Sequence, residues 1–446
     1  MNRFHHPRRG GPACPPCSDG PTHRSAPTIA LAIVLFAAPA FAATKAIRAG
    51  KVIDPNGRAI ANAIIVVTDD RIVSVGTGAP PAGTEVIDLS RYTVIPGMID
   101  VHTHMTYYWD GTGRPRGVNR LPAVSMVLAQ ANLKKTLETG VTTVRDMNAA
   151  ELTDVAMRDL IRAGAFTGPR MYVVGYGLGI TRQPYRPGNL PGPGIVDGAD
   201  EVRVRVRQLI ASGVDWIKLF GSTGSFEDVT QNQTFTFDEM KAAVETAHAL
   251  GKRVAIHSYG PDGARDAVRA GADSLEHAAD MNDETIAEMA KRGTWYVPTI
   301  DHNRYYAERA DEYGFAPGSV ERLNDFINRN LETAKRAFKA GVKFAMGSDA
   351  VYSMFGENTR ELSWFVKAGM TPAQAYTAAT ANGAALLGME KSLGAIAPGY
   401  FADLVAVDGD PLADVNVLIN GVRCVIKGGT VVVDKRGPAG SGKSAQ

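Results

Sequence analysis

Residues 94–105 read VIPGMIDVHTHM, an apolar run that ends in two histidines one residue apart. Side chains at i and i+2 of an extended strand point the same way. His102 and His104 therefore project together from one strand end. That is the beginning of a metal site, or simply a strand that finishes in two solvated imidazoles. The rest of the chain decides between them.

Outward from this stretch the middle of the chain alternates. Buried-looking strands are predicted at Val94–Val101, Val141–Asp146, Arg170–Val174, Trp216–Phe220, Arg253–His257, Ser274–His277, Trp295–Ile300 and Phe344–Gly347. Helical patterns fall between most of them. One is predicted over Thr371–Leu387, with a Thr cap, Pro372 in the first turn and an apolar stripe through Ala375, Ala378, Ala379 and Leu386. Eight strands alternating with helices across residues 96–390 point to an α/β chain built on a (β/α)8 TIM barrel. The competing doubly wound sheet lacks its Gly-x-Gly-x-x-Gly after the first strand. No short internal repeat is apparent.

The two ends read differently. Residues 43–95 are β-rich, with runs such as Ile64–Val67 and Arg71–Val75 separated by turn chemistry at Asp54-Pro55-Asn56-Gly57. The same texture returns in residues 391–435, at Ala402–Val407 and Val422–Val433. This predicts one small β-sandwich domain built from both termini. Residues 436–446, rich in Gly, Ser and Lys, are expected to be a disordered tail.

Residues 1–42 carry the marks of an export signal peptide: basic residues, the apolar Ile29–Ala38, then Ala40-Phe41-Ala42 as a small-x-small cleavage pattern. A periplasmic or secreted protein is the expectation. Arg8-Arg9 only weakly suggests the twin-arginine route, being far from the apolar run. Cys14 and Cys17 lie inside this segment, so their Cys-x-x-Cys spacing is incidental, and the mature chain keeps Cys424 alone. No internal disulfide is then possible.

Composition narrows the function. With 45% hydrophobic and 21% charged residues, the chain reads as an ordinary globular protein. Net charge is +2, of which the first 42 residues hold +3, leaving −1 for the body. Nucleic acid and anionic membranes are therefore not expected partners. No apolar stretch is long enough to span a bilayer once the signal is removed.

Barrel active sites form at the C-terminal ends of strands. Polar residues stand at those ends here: His102 and His104 on the first strand, Lys218 in DWIKLF, His257 in VAIHSYG, His277 in SLEHAAD and Asp349 in FAMGSDA. Histidines and a carboxylate without thiolate suit zinc or a similar divalent ion at an open, catalytic site. Lys218 is the odd member. It is either a plain salt-bridge lysine or, with its pKa depressed by burial, an amine able to capture CO2 as a bridging carbamate.

Taken together, these residues and the closing ATANGAALLG…LGAIAPGYFADLVAVDGDPL resemble the amidohydrolase superfamily over nearly the whole mature chain. The likeness is greatest to the group of imidazolonepropionase-like proteins and metal-dependent Xaa-Pro, Xaa-Arg or Xaa-Lys dipeptidases. Enzymes that cleave the amide of ochratoxin A are also similar. Imidazolonepropionases generally lack the strand-four lysine and use one metal, so Lys218 in IKLFGSTGS favours the binuclear, dipeptidase-like branch. The resemblance implies two divalent ions, zinc being expected. His102, His104 and Asp349 would hold the more buried one and His257 and His277 the other, with carboxylated Lys218 between. Two ions lower the pKa of a bridging water and polarise the scissile carbonyl, while Asp349 moves the proton to the leaving amine.

Other residues are candidates for the substrate pocket. Tyr107, Tyr108 and Tyr259 flank the ligands, and a Tyr259 hydroxyl could help hold an oxyanion. His302 follows the seventh strand. Relatives often carry Gly-Gly-His after the third strand, whereas this chain has GYGLGITRQPYRPGNLPGPG, with Arg182, Tyr185 and Arg186. An arginine there could pair bidentately with a substrate carboxylate. Residues 303–340 make a long connection with an amphipathic helix at Val320–Ala340, fit to cover the mouth or to make a homo-oligomer contact.

Three functions fit the sequence. The first is hydrolysis of a peptide-like amide, releasing a C-terminal amino acid from a dipeptide or N-acyl amino acid. The second is hydrolysis of a cyclic amide or deamination of a heterocycle. A non-catalytic relative is the third, and it would be expected to have lost ligands that are all retained here.

Overall fold

The computed structural model describes residues 44–109, 121–181 and 193–437. The predicted export signal, Arg182, Tyr185, Arg186 and the last residues of the tail lie outside them. No helix among the described residues is long and apolar enough to cross a membrane.

The chain opens with β1 (Thr44–Ile53), β2 (Ala59–Thr68), β3 (Arg71–Thr77) and β4 (Glu85–Pro96). Eight shorter strands follow: β5 (Met98–Thr103), β6 (Val141–Asp146), β7 (Arg170–Val173), β8 (Trp216–Phe220), β9 (Arg253–Ser258), β10 (Ser274–His277), β11 (Trp295–Val297) and β12 (Lys343–Phe344). The chain closes with β13 (Leu404–Val407), β14 (Val422–Lys427) and β15 (Thr430–Asp434).

Both ends combine into one seven-stranded sheet, in the order β15-β14-β13-β4-β1-β2-β3. Period-two alternation gives this sheet two buried faces. Ile47, Ile65, Leu404 and Ile426 share one core, while Ile95, Val405 and Val425 join the main core of the molecule. The strands assigned to a sandwich from the sequence are thus hydrogen-bonded as a single sheet. Lys435 closes the β-rich segment as expected, whereas Arg436, expected at the start of a disordered tail, is instead held. The Lys435 N–H bonds to Arg423 O at 2.7 Å, and Arg436 bonds to Asp434 and to Asp88 O.

The middle strands pair in parallel, in two arcs: β5-β6-β7 and β12-β11-β10-β9-β8. Single bridges at Thr103–Ala350 and Leu178–Leu219 connect the arcs, so the ladders do not run unbroken round a closed cylinder. Between β5 and the segment after β12 the bonds are irregular: Val101 N–H to Met346 O at 2.8 Å and Asp349 N–H to His102 O at 2.7 Å.

The strands expected over Trp295–Ile300 and Phe344–Gly347 are shorter, at Trp295–Val297 and Lys343–Phe344. Two further boundaries differ from the sequence reading for clear reasons. The single strand predicted across Val94–Val101 is two strands, because Gly97 turns the chain out of the terminal sheet. The Gly97 N–H bonds to Asp403 O at 2.8 Å, and a Cβ there would meet Thr142 Oγ1 at 2.0 Å. The helix predicted over Thr371–Leu387 is also two, Pro372–Ala378 and Ala381–Leu387. Its Thr371 capping box forms as the sequence suggests. The break follows because the carbonyls of Ala378 and Ala379 accept from Met346 and Ile99 of the strands rather than from the next helical turn.

Candidate metal centre

The histidines meet where the parallel strands end. One nitrogen each from His102 and His277 and one oxygen of Asp349 lie within 4.8 Å of one another, all three residues buried. Asp349 is the hub. Its Oδ1 is 3.0 Å from His104 Nε2 and 3.6 Å from His102 Nε2. Its Oδ2 is 3.3 Å from His302 Nε2 and 3.9 Å from His277 Nδ1. His257 completes the group, its ring centroid 4.5 Å from that of His277. His277, Thr299 and Asp349 all have positive φ, a left-handed backbone that costs energy for non-glycine residues and clusters at functional sites.

Each imidazole is oriented from behind. Glu276 Oε2 takes His102 Nδ1 at 2.7 Å, and Thr299 Oγ1 takes His277 Nδ1 at 2.6 Å. Asn148 O takes His104 Nδ1 at 3.3 Å, and a backbone bond at Thr223 engages His257. Such partners fix the tautomer and leave the other ring nitrogen as a ligand. His257 Nε2 and Lys218 Nζ are buried with no hydrogen-bond partner. Orphaned buried nitrogens are costly, and the unpartnered imidazole nitrogen of His257, beside His277, is a donor that an ion could take up. The donor set therefore fits a divalent metal.

The electrostatics agree. Burial, with the Lys218 charge, pushes His257 down to about 3. Burial likewise holds His102 and His277 well below the ordinary imidazole range, so these rings are neutral, as metal ligation requires. Burial also lowers Lys218 to about 8, against the pull of Glu276 and Asp349. For Asp349, burial raises the pKa, but the pull of His302 and the hydrogen bond from His104 outweigh it and keep the carboxylate ionised.

The matching family model is described as the amidohydrolase family and covers residues 93–432. The chain belongs to the amidohydrolase family. It is 32% identical over 419 residues to an ochratoxinase of Aspergillus niger, covering 86% of this chain and 85% of that one. An imidazolonepropionase of Symbiobacterium thermophilum is 28% identical over 404 residues, covering 82% of this chain and 89% of the other. Among solved structures, a Xaa-Pro dipeptidase with bound methionine in its active site superposes with a TM-score of 0.80 at 33% identity, over 87% of this chain and 99% of that one. As a member of this family the protein is a hydrolase acting on C–N bonds.

In this amidohydrolase the candidates for the substrate pocket lie around the same group. His302, expected as a substrate contact, has its Nδ1 bonded to Asp349 O at 2.8 Å and its Nε2 facing the carboxylate. Tyr107 stacks on His104 at 4.7 Å, and its hydroxyl accepts from Asn148 Nδ2 at 2.7 Å. Tyr108 beside it is half-buried. Tyr259 stacks on His257 at 5.0 Å.

Sequence reading missed the residues behind the ligands. Arg145, fully buried, donates to Glu276 Oε1 at 2.9 Å, to Ser274 Oγ at 3.0 Å and to Val101 O at 2.6 Å. Asp100 accepts from the backbone N–H of His102 and Ser348, from Ser348 Oγ and from Asn358 Nδ2. The available signal was a charge inside an apolar strand, in TTVRD, SLEH and MIDV.

Gly347 follows β12, where the chain passes the end of β5. A Cβ there would meet Val297 Cγ1 at 2.4 Å and His102 Cβ at 2.8 Å. Gly347→Ala is expected to cost about 1–3 kcal/mol, as overpacking usually does. It should also loosen metal retention by displacing His102. Urea unfolding and metal content after gel filtration test both; an unchanged midpoint would show that the site yields freely.

Proposed function

We propose that this amidohydrolase cleaves a peptide-like amide and releases a C-terminal amino acid from a dipeptide or an N-acyl amino acid. The observation that carries this is the convergence of His102, His277 and Asp349 in one buried group. The reading takes the two arcs of strands as one (β/α)8 barrel with its site at the C-terminal face. His102, His104 and Asp349 would hold one divalent ion, zinc by the donor chemistry, and His257 and His277 a second. Lys218, buried and lowered to about 8, has a deprotonated fraction that would add CO2 to give a carbamate and a proton, and that carbamate would serve as a further anionic ligand. When bound, such ions supply Lewis acidity to the scissile carbonyl and acidify a water molecule.

The chain's own groups do the rest. Ionised Asp349 takes the proton of the attacking water and returns it to the leaving nitrogen. The Tyr259 hydroxyl donates to the carbonyl oxygen as charge develops on it. Tyr107 and Tyr108 stand beside the ligands where substrate enters. Export to the periplasm or medium and assembly into a homo-oligomer are parts of the same proposal.

The likeness to ochratoxinase and to a Xaa-Pro dipeptidase supports an exocyclic amide. The likeness to imidazolonepropionase supports a cyclic one. A panel of dipeptides, N-acyl amino acids and imidazolones, assayed with zinc and bicarbonate, separates the two. Turnover of imidazolones alone would overturn the proposal. Chelation should abolish activity, and Lys218→Ala should retain fewer ions per chain by elemental analysis. Full metal content and full activity in that variant would remove the bridging role.

A further inference from the structure

Tyr259 is held unusually firmly for a side chain whose working part is a hydroxyl. Its ring lies between His257, centroids 5.0 Å apart at 18°, and Phe326, 4.4 Å apart at 23°. Its edge meets His277 at 5.3 Å, and its backbone N–H bonds to Ser222 Oγ at 2.7 Å. Phe326 belongs to the long helix Ser319–Lys339, which is anchored in turn by Arg329 to Asp280 and by Thr333 Oγ1 to the Asp280 N–H. Ring plane and ring position are thereby set. What remains is where the hydroxyl proton points.

Asn303 answers that. It is fully buried on the helix Ile300–Glu308, and its amide meets the Tyr259 hydroxyl, Oη to Oδ1, at 3.4 Å. The amide Nδ2 is buried with no hydrogen-bond partner. The two ends of an amide have nearly the same shape but opposite polarity. With Oδ1 toward the phenol, Asn303 consumes the tyrosine proton at a long distance and strands its own Nδ2. With Nδ2 toward the phenol, the orphaned donor is satisfied and the phenol proton is no longer drawn to Oδ1.

We propose that Asn303 is a positioning residue for Tyr259: its amide N–H donates to the phenol oxygen and so aims the phenol proton at the substrate carbonyl oxygen. The inference rests on the role given to Tyr259 above. Phe326 fixes the ring, and Asn303 sets the remaining torsion. Donors that are preorganised toward developing charge act on kcat rather than on ground-state binding.

The test is a double-mutant cycle on the metal-loaded enzyme with Tyr259→Phe, Asn303→Leu and both together, assayed on the best substrate of the panel. Asn303→Leu keeps the volume and removes the polarity; Asn303→Ser serves if the leucine variant does not fold. The expected result is a fall in kcat of about tenfold or more for Asn303→Leu, with KM nearly unchanged. The double variant should be no slower than Tyr259→Phe alone, because residues acting through one another are not additive. Calorimetry adds a readout without turnover: a methylphosphonyl-capped amino acid, whose tetrahedral oxygens imitate the oxyanion, should bind more weakly to Asn303→Leu, while the free amino acid binds equally. Metal content and thermal midpoint serve as controls. Multiplicative losses in the cycle, or unchanged phosphonate affinity, would overturn the positioning role. An unchanged kcat in Tyr259→Phe would overturn both it and the role of Tyr259.

Discussion

Asp349→Asn is expected to lower kcat by about 10³-fold or more while leaving the chain folded. Asparagine is nearly isosteric, and the backbone carbonyl that accepts from His302 Nδ1 is retained. What disappears is the ionised oxygen pair that faces His102 and His104 on one side and His277 and His302 on the other. Asn carries no charge to neutralise an ion and no basic oxygen to accept a proton from water. Its NH2 end would also place a donor where an acceptor is needed. The loss should therefore appear both in turnover and in the number of ions retained. Circular dichroism and a thermal scan establish that the fold survives. A variant keeping more than a tenth of the parent kcat would show that another group moves the proton.

Glu276 gives the second large effect, and it separates stability from metal binding. The carboxylate is completely buried between His102 Nδ1 at 2.7 Å and Arg145 Nη2 at 2.9 Å. Glu276→Ala leaves the Arg145 guanidinium buried and unpaired, a change that costs about 3–5 kcal/mol. It also frees His102 to take the wrong tautomer. Glu276→Gln keeps the shape and one acceptor, so it should fold. With its acceptor turned to Arg145, however, its NH2 opposes His102 Nδ1. The imidazole then protonates on Nε2, the nitrogen that faces Asp349. Loss of such an outer partner typically weakens metal affinity about 10–100-fold. Competitive chelator titration measures this directly. Unaltered affinity in Glu276→Gln would mean that His102 is oriented by packing alone.

How much of this was legible depends on whether a feature is local. The strand ends carrying His102, His257, His277 and Asp349 follow from apolar runs that stop at a polar residue, and the structure brings these residues together. The terminal strands were equally plain in alternating Val and Ile. What the sequence could not show is who accepts from whom. The carbonyls of Ala378 and Ala379 break a helix that propensity would continue, because strand N–H groups compete for them. Asn303 follows His302 in a helix with no outward mark of use. Its significance is an unpaired amide beside a tyrosine 44 residues away. His302 was legible as a polar residue that follows a strand, but its bond to the Asp349 carbonyl was not.

Asp403 gives the architecture an order in time. Its backbone receives Gly97, and its carboxylate holds Arg170 at 2.8 Å and the Gly428 N–H at 2.7 Å. One residue near the C-terminus thus ties together the start of the first ligand strand, the third strand of the same arc and the last hairpin. Contacts of such long sequence separation form late, since loop closure must precede them. As the chain emerges from the ribosome, β4 waits beside an empty edge until β13 is made, some three hundred residues on. Until then the strand bearing His102 has no fixed root. A chain truncated before β13 is therefore expected to keep every histidine of the site yet lack the edge partner of β4, from which the strand bearing His102 continues.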